Sequence, residues 1–211
     1  MRLWAVIIVI FSVGIPAAWA HPVAYQGALG VMAWNQPFLS DYWITYSFRP
    51  DMAFAGRGMR MDMNNGSRTW FYGPQFDYLA ERWNEEDYQA NIYAYGAFGG
   101  VSTGSRNGTA PLGGVEADIE SRKYFAMAKI EGMLPSFGPN YYASQFRLGI
   151  APYEADFNEM ASWLMVQFEH HPVLARSYAV TPLVRVFYKN FLLEAGASFE
   201  GDGMFNFMFH F

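Results

Sequence analysis

The sequence predicts an all-β fold, an antiparallel transmembrane β-barrel of about twelve strands, with ten or eight as the alternative counts. Three observations carry this reading. The last eight residues alternate, so that Phe205, Phe207, Phe209 and Phe211 share one face and Met204, Asn206, Met208 and His210 the other. Aromatic residues make up 19% of the chain and charged ones only 16%, where an ordinary domain carries about 25% charged residues. Short segments with a period of two recur along the whole chain, separated by Gly, Pro, Asn and Asp clusters.

The N-terminus reads as a secretory leader. Arg2 is its only charge, an apolar run follows from Leu3 to Ile15, and Pro16 precedes the small-residue pattern Ala18-Trp19-Ala20. A helical membrane anchor needs about 18 to 20 apolar residues, and no window of the chain reaches that. Residues 1–20 are therefore predicted to be a signal peptide cleaved after Ala20, and residues 21–211 a single barrel domain. Loss of Arg2 leaves 13 basic against 19 acidic side chains, a formal charge of −6. No cluster of five to eight basic residues is present, which argues against nucleic acid as a partner. Zero cysteines exclude a disulfide-stapled domain.

Taken in order, the predicted strands are 24–34, 41–48, 52–63, 70–82, 89–99, 115–120, 124–131, 141–151, 162–170, 178–188, 191–199 and 204–211. In the eleventh, Phe191, Leu193, Ala195, Ala197 and Phe199 oppose Glu194, Gly196, Ser198 and Glu200; in the eighth, Tyr142, Phe146, Leu148 and Ile150 oppose Gln145 and Arg147. Pro182 interrupts the tenth strand and predicts a bulge, since it has no N–H for the ladder. The stretch 115–131 is split at Ser121-Arg122-Lys123, because a single strand would place Lys129 on the lipid face, where a lysine at the midplane costs roughly 2–4 kcal/mol. With the mature N-terminus in the periplasm, Arg49-Pro50-Asp51, Asn84-Glu85-Glu86, Ser121 to Lys123 and Lys189-Asn190 become tight periplasmic turns. The longest loop, 100–114, then falls outside. Tyr25, Trp34, Tyr42, Trp70, Trp83, Tyr142 and Tyr188 lie near strand ends and read as interface belts, while Trp43, Tyr93, Tyr95 and Trp163 point inward.

The terminal strand resembles that of the outer-membrane β-barrel proteins of Gram-negative bacteria, which ends on an aromatic residue with apolar residues at alternate positions before it. The resemblance covers these eight residues and the rhythm of the chain. It implies Sec-type export to the bacterial outer membrane and outer-membrane lipids as the surroundings. It also implies periplasmic chaperones and the barrel-assembly machinery as partners during insertion, with Phe205, Phe207, Phe209 and Phe211 as the assembly signal.

The inward faces supply the candidate functional residues. Glu116, Asp118, Lys129, Arg147, Glu169, Arg185 and Glu194 would line the lumen, either as charges that bias which solutes pass or as pairs that plug it. A passive small-solute channel or a structural envelope protein follows. A metal-linked envelope protein is one alternative: His21, the N-terminus after cleavage, offers amine and ring nitrogen to copper, with inward-facing His210 on the same rim, and Met59, Met61 and Met63 form a thioether stripe suited to Cu(I). His170 and His171 are adjacent, so they point to opposite faces and do not chelate as an i, i+2 pair would. A lipid-modifying enzyme is the second alternative, but Ser162 and His170 are separated by eight residues at about 3.3 Å each. No Gly-x-Ser-x-Gly, His-Glu-x-x-His or phosphate loop is present. No catalytic residue and no cofactor is therefore assigned.

Overall fold

The computed structural model describes residues 23–104, 106–156 and 158–211. Twelve strands follow in chain order: β1 (Leu29–Asn35), β2 (Leu39–Arg49), β3 (Met52–Asp62), β4 (Arg68–Asn84), β5 (Tyr88–Thr103), β6 (Arg106–Ser121), β7 (Tyr124–Met133), β8 (Tyr141–Ile150), β9 (Ala161–His170), β10 (Tyr178–Tyr188), β11 (Phe191–Ala197) and β12 (Gly203–His210). Each pairs antiparallel with its sequence neighbours, and β1 pairs with β12 to close the ring. Closure leaves no unpaired strand edge, which a membrane-spanning sheet requires.

Alternation decides which side of the wall each residue takes. On β2, Tyr42, Ile44 and Tyr46 are exposed while Asp41, Trp43, Thr45 and Ser47 are buried. The exposed face is apolar around the ring: Ile44 is 60% exposed, Phe98 61% and Ile130 63%. A belt of that extent matches lipid rather than water. Outward charges such as Arg49, Arg60, Asp62, Arg68 and Glu81 sit near strand ends. The four terminal phenylalanines face out: Phe209 packs on Phe191 at 6.4 Å and on Phe211 at 4.5 Å, and its strand seals the ring in the register Val31↔Phe209.

Several expectations are corrected. The stretch 100–114 is no loop: β5 runs on to Thr103 and β6 starts at Arg106, with Gly104 after β5 at a φ of 54°. Its Gly, Ser and Thr composition reads as loop, yet a glycine in a strand is sheltered when a neighbouring ring lies over it, as Tyr72 covers Gly100. Pro182 makes no bulge. It faces lipid, pairs with Val166 in unbroken register, and lies just beyond Leu183↔Gly196, where the β10–β11 ladder ends; Phe199 N still donates to Val180 O at 3.1 Å in the same register, so the missing N–H omits one rung without shifting the strands. The register instead shifts at Ser47/Arg49 and Leu79/Glu81. Trp34 points into the lumen rather than to an interface belt.

The rim that carries Phe211 and the start of β1 is here the near rim, and the opposite one the far rim. The longest connection, 151–160, lies on the near rim, against the expectation that the termini share their side with tight turns alone. Residues 24–28, expected as the start of the first strand, are not strand. The chain there folds into the near mouth, where Val23 is 1% exposed against Ala53, Leu79 and Tyr93.

Candidate functional site: the barrel lumen

Arg57 on β3 organises the middle of the lumen. Its Nε and Nη2 donate to the two oxygens of Asp41 at 2.9 and 2.6 Å, and its Nη1 donates to Glu131 at 2.7 Å and to Gln75 at 3.1 Å. The guanidinium lies 4.7 Å from the centre of the Trp43 ring. Buried charges of this kind persist only when each is paired and hydrogen-bonded. Tyr95 adds a hydroxyl donor to Glu131 at 2.9 Å, and it reaches there because its ring crosses Gly114 on the next strand.

A second knot joins four strands, β8, β10, β11 and β12. Arg147 and Arg185 donate to one oxygen of Glu194 at 3.0 and 2.8 Å, and Asn206 donates to the other at 2.8 Å. A third surrounds Glu169, which accepts from Gln36 at 2.9 and 3.0 Å and from Gln145 at 3.1 Å, with His171 Nε2 at 3.5 Å. Two cations cross the lumen to aromatic rings on strands five apart in the ring: Lys129 lies 5.5 Å from the Trp43 centroid, and Arg147 lies 5.6 Å from that of Trp34.

All seven side chains expected in the lumen face the interior. The structure joins Arg147, Arg185 and Glu194 in one knot and places Glu116 opposite Lys129 in the β6–β7 register. Glu116 and Asp118 stand in file with Glu120 on the inner face of β6. Sequence reasoning did not single out Asp41, Asp77, Arg57 or Glu120. The signal was present in Ala55-Gly56-Arg57-Gly58-Met59, where only the odd-numbered positions carry side chains large enough to fill a lumen. Among the described residues the interior holds eight carboxylates (Asp41, Asp77, Glu116, Asp118, Glu120, Glu131, Glu169, Glu194) and five cations (Arg57, Arg82, Lys129, Arg147, Arg185). Between them lies a cavity of about 130 Å³.

The far half of the lumen is apolar. Phe38, Met59, Met61, Met63, Phe71, Met133 and Tyr141 are buried there together. Over them runs a strap, residues 171–177, the connection between β9 and β10. It reaches β3, which stands six strands from β9 and five from β10 around the ring. Met63 and Leu174 form an isolated bridge, Asn64 N donates to Val173 O at 2.9 Å, Ala175 N donates to Asp62 O at 2.8 Å, and Asn64 Nδ2 approaches Pro172 O at 3.5 Å. Leu174 is fully buried in the apolar layer. Burying a leucine contributes about 1.5–3 kcal/mol and each such hydrogen bond about 0.5–1.5 kcal/mol net.

The remaining candidates are separated. His21 lies outside the described residues, and His210 is buried in the wall beside Gly30 and Thr45. Met59, Met61 and Met63 face inward and fill space in the apolar layer. His170 stacks on Tyr178 at 4.3 Å on the outer face, whereas His171 turns inward toward Glu169 and Tyr141. The i, i+2 pair at this place is thus Glu169 and His171. Among the described residues no three His, Asp or Glu side chains are grouped to hold a metal ion. Ser162 bonds to Tyr153 at 3.0 Å, at the other end of β9 from His170.

No protein-family model and no curated protein matches the chain. Among solved structures it is similar to a KdgM porin, at a TM-score of 0.47 and 11% identity over 87% of this chain and 98% of that one. A KdgM porin in complex with disordered oligogalacturonate gives 0.49 and 10% over the same shares. The beta domain of the Bordetella autotransporter BrkA gives 0.41 and 11%, over 87% of this chain and 96% of that domain. These likenesses concern barrel shape; strand order, register and lumen are this chain's own. With twelve antiparallel strands, an apolar exterior and a charged interior, the chain is a transmembrane β-barrel of outer-membrane type.

Proposed function

We propose that the protein is a narrow channel of the bacterial outer membrane, shut in this conformation, whose lumen favours small cations and neutral solutes over anions. The observation that carries this reading is the excess of interior carboxylates, eight against five cations, with Glu116, Asp118 and Glu120 in file along β6 beside the central cavity. A file of like charges focuses the field along the path and sets the sign of the ions that enter. Such a lumen does not suit a polyanion like the oligogalacturonate bound by the KdgM porin. Residues 1–20 would be the leader, so the far rim faces outward and the near rim the periplasm.

The test is a reversal potential across a planar bilayer under a salt gradient. Preference for the cation is the expected sign, and Glu116→Gln with Glu120→Gln should bring it close to zero. Preference for the anion in the parent protein would overturn the assignment. The second reading, a non-conducting structural wall, is favoured by the ion pairs that tie opposite sides of the lumen together, such as Arg57 with Glu131. Absence of conductance once the far mouth is opened would establish it.

A further inference from the structure

We propose that the strap 171–177 is the gate of this channel and Leu174 its stopper: the strap swings outward on its β9 and β10 ends, and the barrel wall stays in place. The inference rests on the channel reading and assigns its moving part.

The construction of the far mouth supports a strap that moves on its own. The β9–β10 ladder is complete from Tyr178↔His170 onward, and β3 pairs with β4 up to Asp62↔Arg68, so no bond of the wall depends on the strap. The strap closes on itself at its base, where His171 N donates to Ser177 O at 2.8 Å and Leu174 N to His171 O at 3.1 Å. Those bonds can travel with it. What would break or shift is the short contact with β3 and the β3–β4 turn, the surface ion pair Arg176 to Asp202 at 2.9 Å, the seat of Leu174, and, at the hinge, the contacts of the His171 ring with Glu169 and Tyr141 at 3.5 Å each.

The seat is suited to repeated emptying. Leu174 rests among Met61, Met63 and Phe38, and methionine's unbranched, polarizable side chain adapts to a vacated space more readily than branched residues do. Directly beneath the strap come Tyr141 and Glu169, which line the central cavity together with the strap's own base residue His171. Lifting Leu174 therefore joins the cavity to the far side. The other obstructions are built differently: the central ion pairs are anchored in wall strands, and Val23 packs against β3, β4 and β5 at the near mouth.

The chain has no cysteine, so a single engineered bridge can lock the strap. Asn64 and Val173 are cross-strand partners beside the Met63↔Leu174 bridge, and partners in an antiparallel pair lie at about the 4.4–6.8 Å Cα separation that a disulfide needs. The experiment records Asn64→Cys/Val173→Cys in planar bilayers, oxidised and then reduced, after confirming a heat-modifiable folded barrel. Openings should be absent when oxidised and return at least tenfold more often on reduction. Leu174→Gly, which leaves every ladder intact, should conduct at least tenfold more often than the parent, and replacement of 171–177 by Asn-Gly should conduct continuously. Equal conductance of the oxidised and reduced double variant would overturn the gate and leave the channel standing. Silence of the reduced double variant, of Leu174→Gly and of the shortened strap would overturn the channel reading and the gate with it.

Discussion

Arg57 on β3 and Glu131 on β7 meet at 2.7 Å across the lumen, although their strands stand four apart in the ring. The same guanidinium holds Asp41 at 2.6 Å, so one side chain neutralises two buried carboxylates. Replacement of Arg57 by Met should therefore cost more than the loss of a surface pair, about 3–5 kcal/mol, because two buried carboxylates lose the cation they share. The midpoint of urea unfolding in detergent micelles measures it. Addition of Glu131→Gln to Arg57→Met should restore part of the loss, since the two residues act on one network.

Glycines on the two faces of the wall should respond in opposite ways. A Cβ on Gly114 would meet the Tyr95 hydroxyl and the Ile130 carbonyl well inside contact distance, whereas a Cβ on Gly56 meets nothing within 4 Å. Gly114→Val is expected to destabilise by about 1–3 kcal/mol through overpacking and to pull Tyr95 off Glu131. Gly56→Ala should be neutral or stabilising by about 0.4–1 kcal/mol, through a less disordered unfolded chain. Thermal unfolding of the two variants side by side tests the contrast.

Phe211 separates the role of the terminal strand in the wall from a role in assembly. Its ring touches Phe209 at the very end of the barrel, and its backbone oxygen accepts from the Tyr25 hydroxyl at 2.8 Å. Phe211→Ser should refold into lipid vesicles nearly as well as the parent, yet reach the folded, heat-modifiable form in cells several-fold less. Equal accumulation in cells would remove the assembly signal from this residue.

Pro182→Ala should change stability by less than about 1 kcal/mol. The one ladder bond that the new N–H could regain, just past the Leu183↔Gly196 end of the β10–β11 ladder, is worth about 0.5–1.5 kcal/mol, and the freer unfolded chain offsets about 0.4–1 kcal/mol of it. A larger gain would mean that the ladder can extend past its present end, and denaturant unfolding reads the difference.

The mature chain should begin at His21, which intact-mass measurement of protein purified from membranes checks directly. A mass corresponding to residues 1–211 would remove the leader.

The strands were legible because the information that makes them is local. Side chains two apart share a face whatever the rest of the chain does, so the phase that put Lys129 and Glu131 inward and the terminal phenylalanines outward could be read from β7 and β12 alone. The bounds of β10, Tyr178–Tyr188, and the count of twelve follow from the same period and its breakers. Composition misled where a neighbour overrides it: the glycines of 100–114 read as loop, and the ring of Tyr72 makes one of them strand. Trp34 looked like a belt residue because it lies near a strand end. Only the closed ring places it beneath Arg147, five strands away.

Sequence alone thus determined the kind of wall this protein builds and which residues turn toward its interior. The tertiary structure decided what the interior is: which carboxylates share Arg57 and which share Arg147, how little space remains between them, and that residues 171–177 return across the far mouth to β3. Alternation says which way a side chain points, but the partner it meets across a barrel depends on ring closure and stagger, which no single strand encodes.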